Sequence, residues 1–367
     1  MTRPAPPDLA VFLPSLAGGG AERVMLDLIA AALEHGRSVE LVLASRHGAY
    51  RDEVPDGATV VDLRRTRTVT ALPGLVAYLR RRRPRALLAT LEHANVVALM
   101  AGRLARTTPV SVREANTVSR DLVGGPPLSR AVLWLMRRSY RRAHAVIAVS
   151  QGVADDLVIT LPLPAERVRV IPNPVITSRL ERLGREPLDH PWFAPGEPPV
   201  VLGVGRLTTQ KGFDALIEAF ARARERLACR LILLGEGEER GALERLAAAR
   251  GVAQEVAMPG FVDNPFPYMA RAGAFALSSR WEGLPNVLIQ ALALGAPTVA
   301  TDCPSGPAEV LEGSERAVLV PVDDVSALAD GIVAAIEAGR GRQGDAWFDR
   351  YRVGPIARRY LEAVGAW

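Results

Sequence analysis

Apolar and polar positions along this 367-residue chain fall into two rhythms that take turns. Short apolar runs recur, and between them lie longer stretches whose apolar positions repeat at helical spacing. Asp8–Pro14 reads as a buried strand, followed by the glycines Gly18, Gly19 and Gly20 and a helix from Ala21 to about Glu34. Further strands are predicted at 38–44, 58–63, 85–90, 109–113, 144–149 and 168–171, with helices near 70–82, 94–106, 128–142 and 151–160. Strand and helix in alternation imply a parallel sheet covered by helices.

Prolines and charges then cluster from Pro172 to Pro199 with little apolar periodicity, and this stretch is read as a linker. The alternation resumes, with strands near 200–204, 230–234, 255–258, 274–278, 297–301 and 317–320. A last helical segment, aromatic and basic, runs from about Val353 to Val364. The pattern predicts an α/β protein of two doubly wound domains, with a cleft between them where two substrates can meet.

Composition narrows the class. Hydrophobic content of 49% and charged content of 23% describe an ordinary globular chain. No stretch approaches 18 uninterrupted apolar residues, and the N-terminus shows no charged-then-apolar leader, so a cytoplasmic location is expected. Cys229 and Cys303 lack metal-ligand spacing and read as incidental thiols. Charge is uneven: residues 1–172 hold 24 arginines against 15 acidic residues, while the remainder holds 21 basic against 25 acidic. The two halves are expected to face different partners.

Of 45 basic residues only one is a lysine, Lys211. It lies in Gly203-Val204-Gly205-Arg206-Leu207-Thr208-Thr209-Gln210-Lys211-Gly212, between the strand at 200–204 and a helix whose stripe is Phe213, Leu216, Ile217, Phe220 and Leu227. Two cations at the carboxyl end of a parallel strand suit a phosphate or diphosphate. Lysine offers a compact point charge where arginine offers a planar fork. The spacing is neither a Walker loop nor a dinucleotide fingerprint, whose third glycine is missing. A second dense signal is Ser278-Ser279-Arg280-Trp281-Glu282-Gly283-Leu284-Pro285-Asn286. Here a strand ends at Ser278 and a helix is predicted from Leu284, with Pro285 in its first turn. Amides of that turn can bind an anion, leaving Glu282 to accept hydrogen bonds from hydroxyls. A sugar diphosphate matches that pair, although Glu282 could equally be a capping acid.

Together these segments resemble the retaining glycosyltransferases of the GT-B fold, family 4. The resemblance rests on Gly19-Gly20-Ala21-Glu22-Arg23-Val24, Val149-Ser150-Gln151-Gly152-Val153 and Val170-Ile171-Pro172-Asn173-Pro174-Val175. It continues through Gly205-Arg206-Leu207 with Lys211-Gly212, Leu234-Gly235-Glu236-Gly237, and the stretch from Pro259 to Pro307. It implies two Rossmann-like domains: an acceptor domain, 1–172, with the helix of about 353–367 packing back on it, a linker, 173–198, and a nucleotide-sugar donor domain, 199–352. Arg206 and Lys211 would neutralise the donor diphosphate, and Glu282 would hold donor-sugar hydroxyls. Amides at Gly283 and Leu284 would lie near the diphosphate, with Gly205 in the same loop. The loop with Gly19 and Gly20 would close over the reaction centre. The family's second acid falls at Gln290, eight residues after Glu282, so this chain reads Glu-x7-Gln. A Gln still accepts through its carbonyl but adds donors and loses the charge, which implies an altered ribose contact.

The chain has no Asp-x-Asp, so neither a metal nor any cofactor is expected and the nucleotide-sugar is a substrate. His93 and Glu114, each following a strand, are acceptor-side candidates. On a helix over 128–142, Arg130, Arg137 and Arg141 share a face with Trp134, flanked by Arg138 and Arg142, while Val132, Leu133, Met136 and Tyr140 point to the core. Trp among arginines suits an anionic membrane surface. Arg80–Arg85 adds a second cluster, although cations at a helix C-terminus also complement its dipole. No nucleic-acid motif is present. The expectation is a metal-independent hexosyl- or N-acetylhexosaminyltransferase that uses a UDP-linked sugar and a polyprenyl-diphosphate-linked glycan at the inner membrane face. The alternatives are a transferase acting on a soluble small molecule and a sugar-nucleotide-binding protein without turnover, the latter motivated by Gln290.

Overall fold

Seven strands form the first sheet: β1 (Leu9–Leu13), β2 (Val39–Leu43), β3 (Thr59–Asp62), β4 (Ala86–Thr90), β5 (Val110–Glu114), β6 (Val146–Ala148) and β7 (Val168–Val170). The computed structural model describes residues 5–123, 126–314 and 316–367. All neighbours in the sheet are parallel, in the order β3-β2-β1-β4-β5-β6-β7. β1, β2, β4, β5 and β6 are buried along their whole length. β1, β4 and β6 accordingly read as nearly unbroken apolar runs, while β2 and β5 bury Glu40, Ser111, Arg113 and Glu114 among their apolar residues. The strand order turns back between β1 and β4, so the loops leaving these two strands diverge at their carboxyl ends.

This unit comprises Met1–Pro174 together with Arg352–Trp367. The terminal helix Val353–Val364 places Ile356, Ala357, Tyr360 and Leu361 in the core that also holds Met25, Leu28 and Ile29 of the helix Gly20–Glu34.

The second unit, Val175–Tyr351, has its own sheet and core. Its strands are β8 (Val200–Val204), β9 (Arg230–Leu234), β10 (Val256–Gly260), β11 (Ala274–Leu277), β12 (Thr298–Thr301) and β13 (Ala317–Val320). They are parallel in the order β10-β9-β8-β11-β12-β13, with the turn-back between β8 and β11. The helix Phe213–Arg224 buries Phe213, Leu216, Ile217 and Phe220, the stripe its periodicity predicts.

The structure adds detail to three sequence readings. The stretch 173–198 is not a bare linker: it carries the helix Ser178–Gly184, capped by Thr177 Oγ1 accepting from Leu180 N at 3.1 Å. Asn264 Nδ2 donates to Leu183 O at 3.3 Å and Arg271 Nη2 to Glu186 O at 2.9 Å, so most of the segment is fastened to the second unit. The helix expected over 128–142 is α-helical at Pro127–Ser139 and tightens to a 3-10 turn at Tyr140–Arg142. The helix expected from Leu284 begins at Asn286, because Pro285 stands outside it as the N-cap with an extended backbone.

Candidate active site

In the second unit the two strands that flank the turn-back, β8 and β11, each end in a loop carrying predicted site residues. Gly205 and Arg206 follow β8 directly, and Thr209–Lys211 forms a single 3-10 turn before the helix at Phe213. Gly212 joins turn to helix with φ +60°, and a Cβ there would stand 2.2 Å from Ser278 O. Glycine is therefore required by both backbone and neighbour. Gly235, after β9, has φ +141° and a virtual Cβ 1.9 Å from Gly205 O, so it admits the β8 loop in the same way.

Lys211 Nζ lies 2.5 Å from Glu282 Oε1, an ion pair between the two loops. The lysine stem runs past Gly205, whose virtual Cβ is 3.2 Å from Lys211 Cε. Glu282 is only 7% exposed, and the same Oε1 accepts from Ser279 Oγ at 2.7 Å. Its backbone is held on both sides: Glu282 N donates to Pro304 O at 2.8 Å, and Ser305 N donates to Glu282 O at 3.0 Å. Gly283 and Leu284 are buried beside it, and Ser305 Oγ donates to Gly283 O at 3.2 Å. Arg206 is exposed at the mouth of the β8 loop with no ion-pair partner among the described residues. Gln290 is half-buried on the helix Asn286–Ala293 that continues the β11 loop. One buried carboxylate thus faces a lysine while a second cation stays open, an arrangement suited to a ligand with hydroxyls and an anionic group.

Burial pushes the Cys303 thiol up to about 12, helped by the charge of Glu282, and burial raises Cys229 to about 11. Both are ordinary buried thiols with no nucleophilic character.

In the first unit the turn-back lies between β1 and β4. Gly18, with φ +108°, and the exposed Gly19 and Gly20 follow β1 and lead into the helix Gly20–Glu34. A Cβ on Gly19 would meet Glu22 Oε2 at 2.4 Å. His93 is exposed in the first turn of the helix Glu92–Ala105 that follows β4, and desolvation of its ring lowers its affinity for protons. A hollow of about 520 Å³ beside the glycine loop is lined by Ala17, Arg46, His47, Gly48, Ala49, Arg51 and Asp52. These arginines and His47 were not singled out in the sequence because they lie in a loop without periodicity.

Glu114, expected on the acceptor side, has no exposed surface, and its carboxyl is surrounded by protein groups. Its Oε1 accepts from Asn95 Nδ2 at 2.9 Å and from the Tyr140 hydroxyl. Burial raises its pKa to about 8, with the charge of Glu92 adding to the effect and Tyr140, Asn95 and Arg113 opposing it. The next residue back, Arg113, points to the other face of β5 and is 1% exposed. Its guanidinium donates to Tyr360 Oη at 3.2 Å, Thr90 Oγ1 at 2.9 Å and Asn173 Oδ1 at 2.6 Å.

On the helix Pro127–Ser139, Leu133 and Met136 are buried, as is Tyr140 just beyond it, while Val132 is only partly covered. Arg130, Arg137, Arg138, Arg141 and Arg142 are exposed around Trp134, itself 59% exposed, and Arg138 lies 5.6 Å from its ring centre.

Two parallel Rossmann-like sheets, each with its glycine or cationic loop at the turn-back, are the architecture of GT-B glycosyltransferases. The chain belongs to glycosyltransferase family 4: residues 18–179 match the Glycosyltransferase Family 4 model and residues 198–338 match Glycosyl transferases group 1. It is 31% identical over 324 residues to the lipopolysaccharide core biosynthesis glycosyltransferase LpsE of Rhizobium meliloti, covering 87% of this chain and 85% of that protein. It is 29% identical over 279 residues to the N-acetylgalactosamine-N,N'-diacetylbacillosaminyl-diphospho-undecaprenol 4-alpha-N-acetylgalactosaminyltransferase of Campylobacter jejuni, 74% of each chain. Anabaena HepE, solved in complex with UDP and glucose, superimposes with a TM-score of 0.77 over 98% of this chain and 99% of that one, at 21% identity.

Proposed function

We propose that this glycosyltransferase moves a sugar from a UDP-linked donor, with retention and without a metal, to a polyprenyl-diphosphate-linked glycan in surface-polysaccharide assembly. The observation that carries the reading is the Lys211–Glu282 pair at the turn-back of the second sheet, with Arg206 exposed in the same loop as Lys211. Lys211 and Arg206 act on the donor diphosphate, stabilising the charge that grows on the leaving nucleotide. Removing one such stabiliser typically costs about 3–4 kcal/mol of barrier. Glu282 accepts hydrogen bonds from donor-sugar hydroxyls, and Ser279 and Lys211 fix the direction in which it does so. The bond from the anomeric carbon to the diphosphate oxygen breaks as the acceptor oxygen attacks the same face. The acceptor's proton passes to the departing phosphate oxygen.

The donor assignment is supported by HepE, which binds UDP, and the lipid-linked acceptor by the Campylobacter relative, whose name specifies a diphospho-undecaprenol substrate. Metal independence is supported by the absence of Asp-x-Asp in the sequence and by the charge that Arg206 and Lys211 supply. Among the described residues no helix is long and apolar enough to cross a membrane. The arginines around Trp134 provide a face for peripheral attachment to the anionic inner leaflet, at about 1 kcal/mol per cation.

The test is nucleotide release from UDP-, GDP-, ADP- and dTDP-sugars, with Lys211→Ala and Glu282→Ala as controls. Slow release from a UDP-sugar, abolished in both variants and accelerated by a polyprenyl-diphosphate glycan in anionic liposomes, supports the reading. Acceleration by soluble aglycones alone, without liposome binding, replaces the acceptor. Saturable donor binding with no release under any acceptor replaces the enzyme with a binding protein.

A further inference from the structure

We infer that Arg280 is a positioning residue that sets the separation of Lys211 and Glu282 by bracing the β8 loop against the β11 loop, an inference that rests on the donor-site reading above. By composition Arg280 is a candidate phosphate ligand, since it stands in the β11 loop two residues before Glu282. Its guanidinium is instead spent on the protein. Nη1 donates to Thr209 O at 2.9 Å and to Asp214 Oδ1 at 3.0 Å, and Nη2 donates to Asp214 Oδ2 at 2.8 Å. Nε donates to Asp323 Oδ1 at 2.9 Å, in the loop after β13. Two carboxylates surround one cation, so the cluster has no net positive charge to offer a diphosphate.

The contacts run the length of the Lys211 turn. Arg280 N donates to Gln210 O at 2.7 Å, Gln210 Nε2 donates back to Trp281 O at 2.9 Å, and Ser278 Oγ donates to Lys211 O at 2.8 Å. Thr209, Gln210 and Lys211 are thus each tied to residues 278–281. A single 3-10 turn holds itself poorly, and here Gly212 N reaches Thr209 O only at 3.3 Å. The planar fork of Arg280 supplies the rigidity the turn lacks, and it joins the β8 loop, the first turn of the helix Phe213–Arg224 and the loop after β13, which a lysine could reach only one at a time. Catalytic groups displaced by about 1 Å lose rate on the order of 100-fold, so such a brace acts on turnover without touching substrate.

Because Lys211 is the only lysine, incorporation of 15N-lysine gives one backbone cross-peak that reports on this turn alone. That spectrum, UDP affinity by calorimetry and the melting temperature are measured for the full chain, Arg280→Met and Asp323→Asn. The expected result is a shifted or broadened Lys211 peak and UDP binding weakened about tenfold in Arg280→Met, with smaller changes in the same direction in Asp323→Asn. An unmoved peak and wild-type UDP affinity in a folded Arg280→Met overturn the inference. Should Arg280→Met fail to fold, Asp323→Asn, altered at an exposed side chain, decides by the same two readouts. Failure of the wild-type protein to bind UDP counts against the donor reading alone, since the Lys211 peak still reports the brace.

Discussion

Asn95 Nδ2 donates to Glu114 Oε1 at 2.9 Å, and neither side chain has any exposed surface. The pair ties the end of β5 to the helix that carries His93, and the burial of Glu114 makes the first unit sensitive to pH. Glu114 titrates near 8 in the folded chain because burial disfavours its charge, with Glu92 adding to the effect, against a usual value of 4.5. Between those values the folded chain holds a proton that the unfolded chain has lost. Stability therefore falls as pH rises across that window, by up to about 1.4 kcal/mol per pH unit. Glu114→Gln is neutral throughout and should flatten the slope, which urea denaturation at pH 5, 6, 7 and 8 measures. Asp8 and Asp214, whose pKa values are lowered, change stability only at more acid pH.

Lys211→Arg keeps the charge and loses the point contact. The longer planar group has to pass the same stem path over Gly205 and can grip Glu282 with two nitrogens. A carboxylate gripped in this way is less free to accept from sugar hydroxyls. Turnover should fall on the order of 10–100-fold, less than the 10²–10³-fold expected for Lys211→Ala, as read from kcat on the preferred donor.

Gly212→Ala should distort the β8 loop that carries Lys211. Its φ of +60° costs a side chain about 1–2 kcal/mol, and the added Cβ would lie 2.2 Å from Ser278 O, a backbone atom that cannot turn away. The β8 and β11 loops must separate, so activity should fall with Lys211→Ala. The melting temperature should drop, since the same contact lies beside the core residue Phe213.

Arg113→Met removes three hydrogen bonds that link β5 to Thr90, to Asn173 and to the terminal helix through Tyr360. At about 1 kcal/mol each the first unit should lose about 2–3 kcal/mol. Denaturant midpoints of the two proteins test this, and Arg113→Lys, which cannot span all three acceptors, should recover little.

Both sheets were legible because a strand buried on both faces is an apolar run, and a helix over a sheet shows its stripe. The loops after β8 and β11 were legible because glycine, lysine and glutamate are conspicuous where apolar runs stop. The burial of Glu114 was not legible for a physical reason: Tyr140, which bonds its carboxyl, lies 26 residues later in the chain. Arg280 was passed over because its partners Asp214 and Asp323 lie 66 and 43 residues away, and no local pattern joins them.

The sequence by itself determined the two doubly wound units and the residue types present at each turn-back, since these follow from periodicity and short-range chemistry, while the family showed in it only as a resemblance of motifs. Only the tertiary structure decided which side chains meet. It paired Lys211 with Glu282 across 71 residues, closed Glu114 away from solvent, and spent Arg280 on bracing. Contacts of that kind depend on which loops the strand order brings together, and strand order is a property of the packed sheet, not of any local stretch of chain.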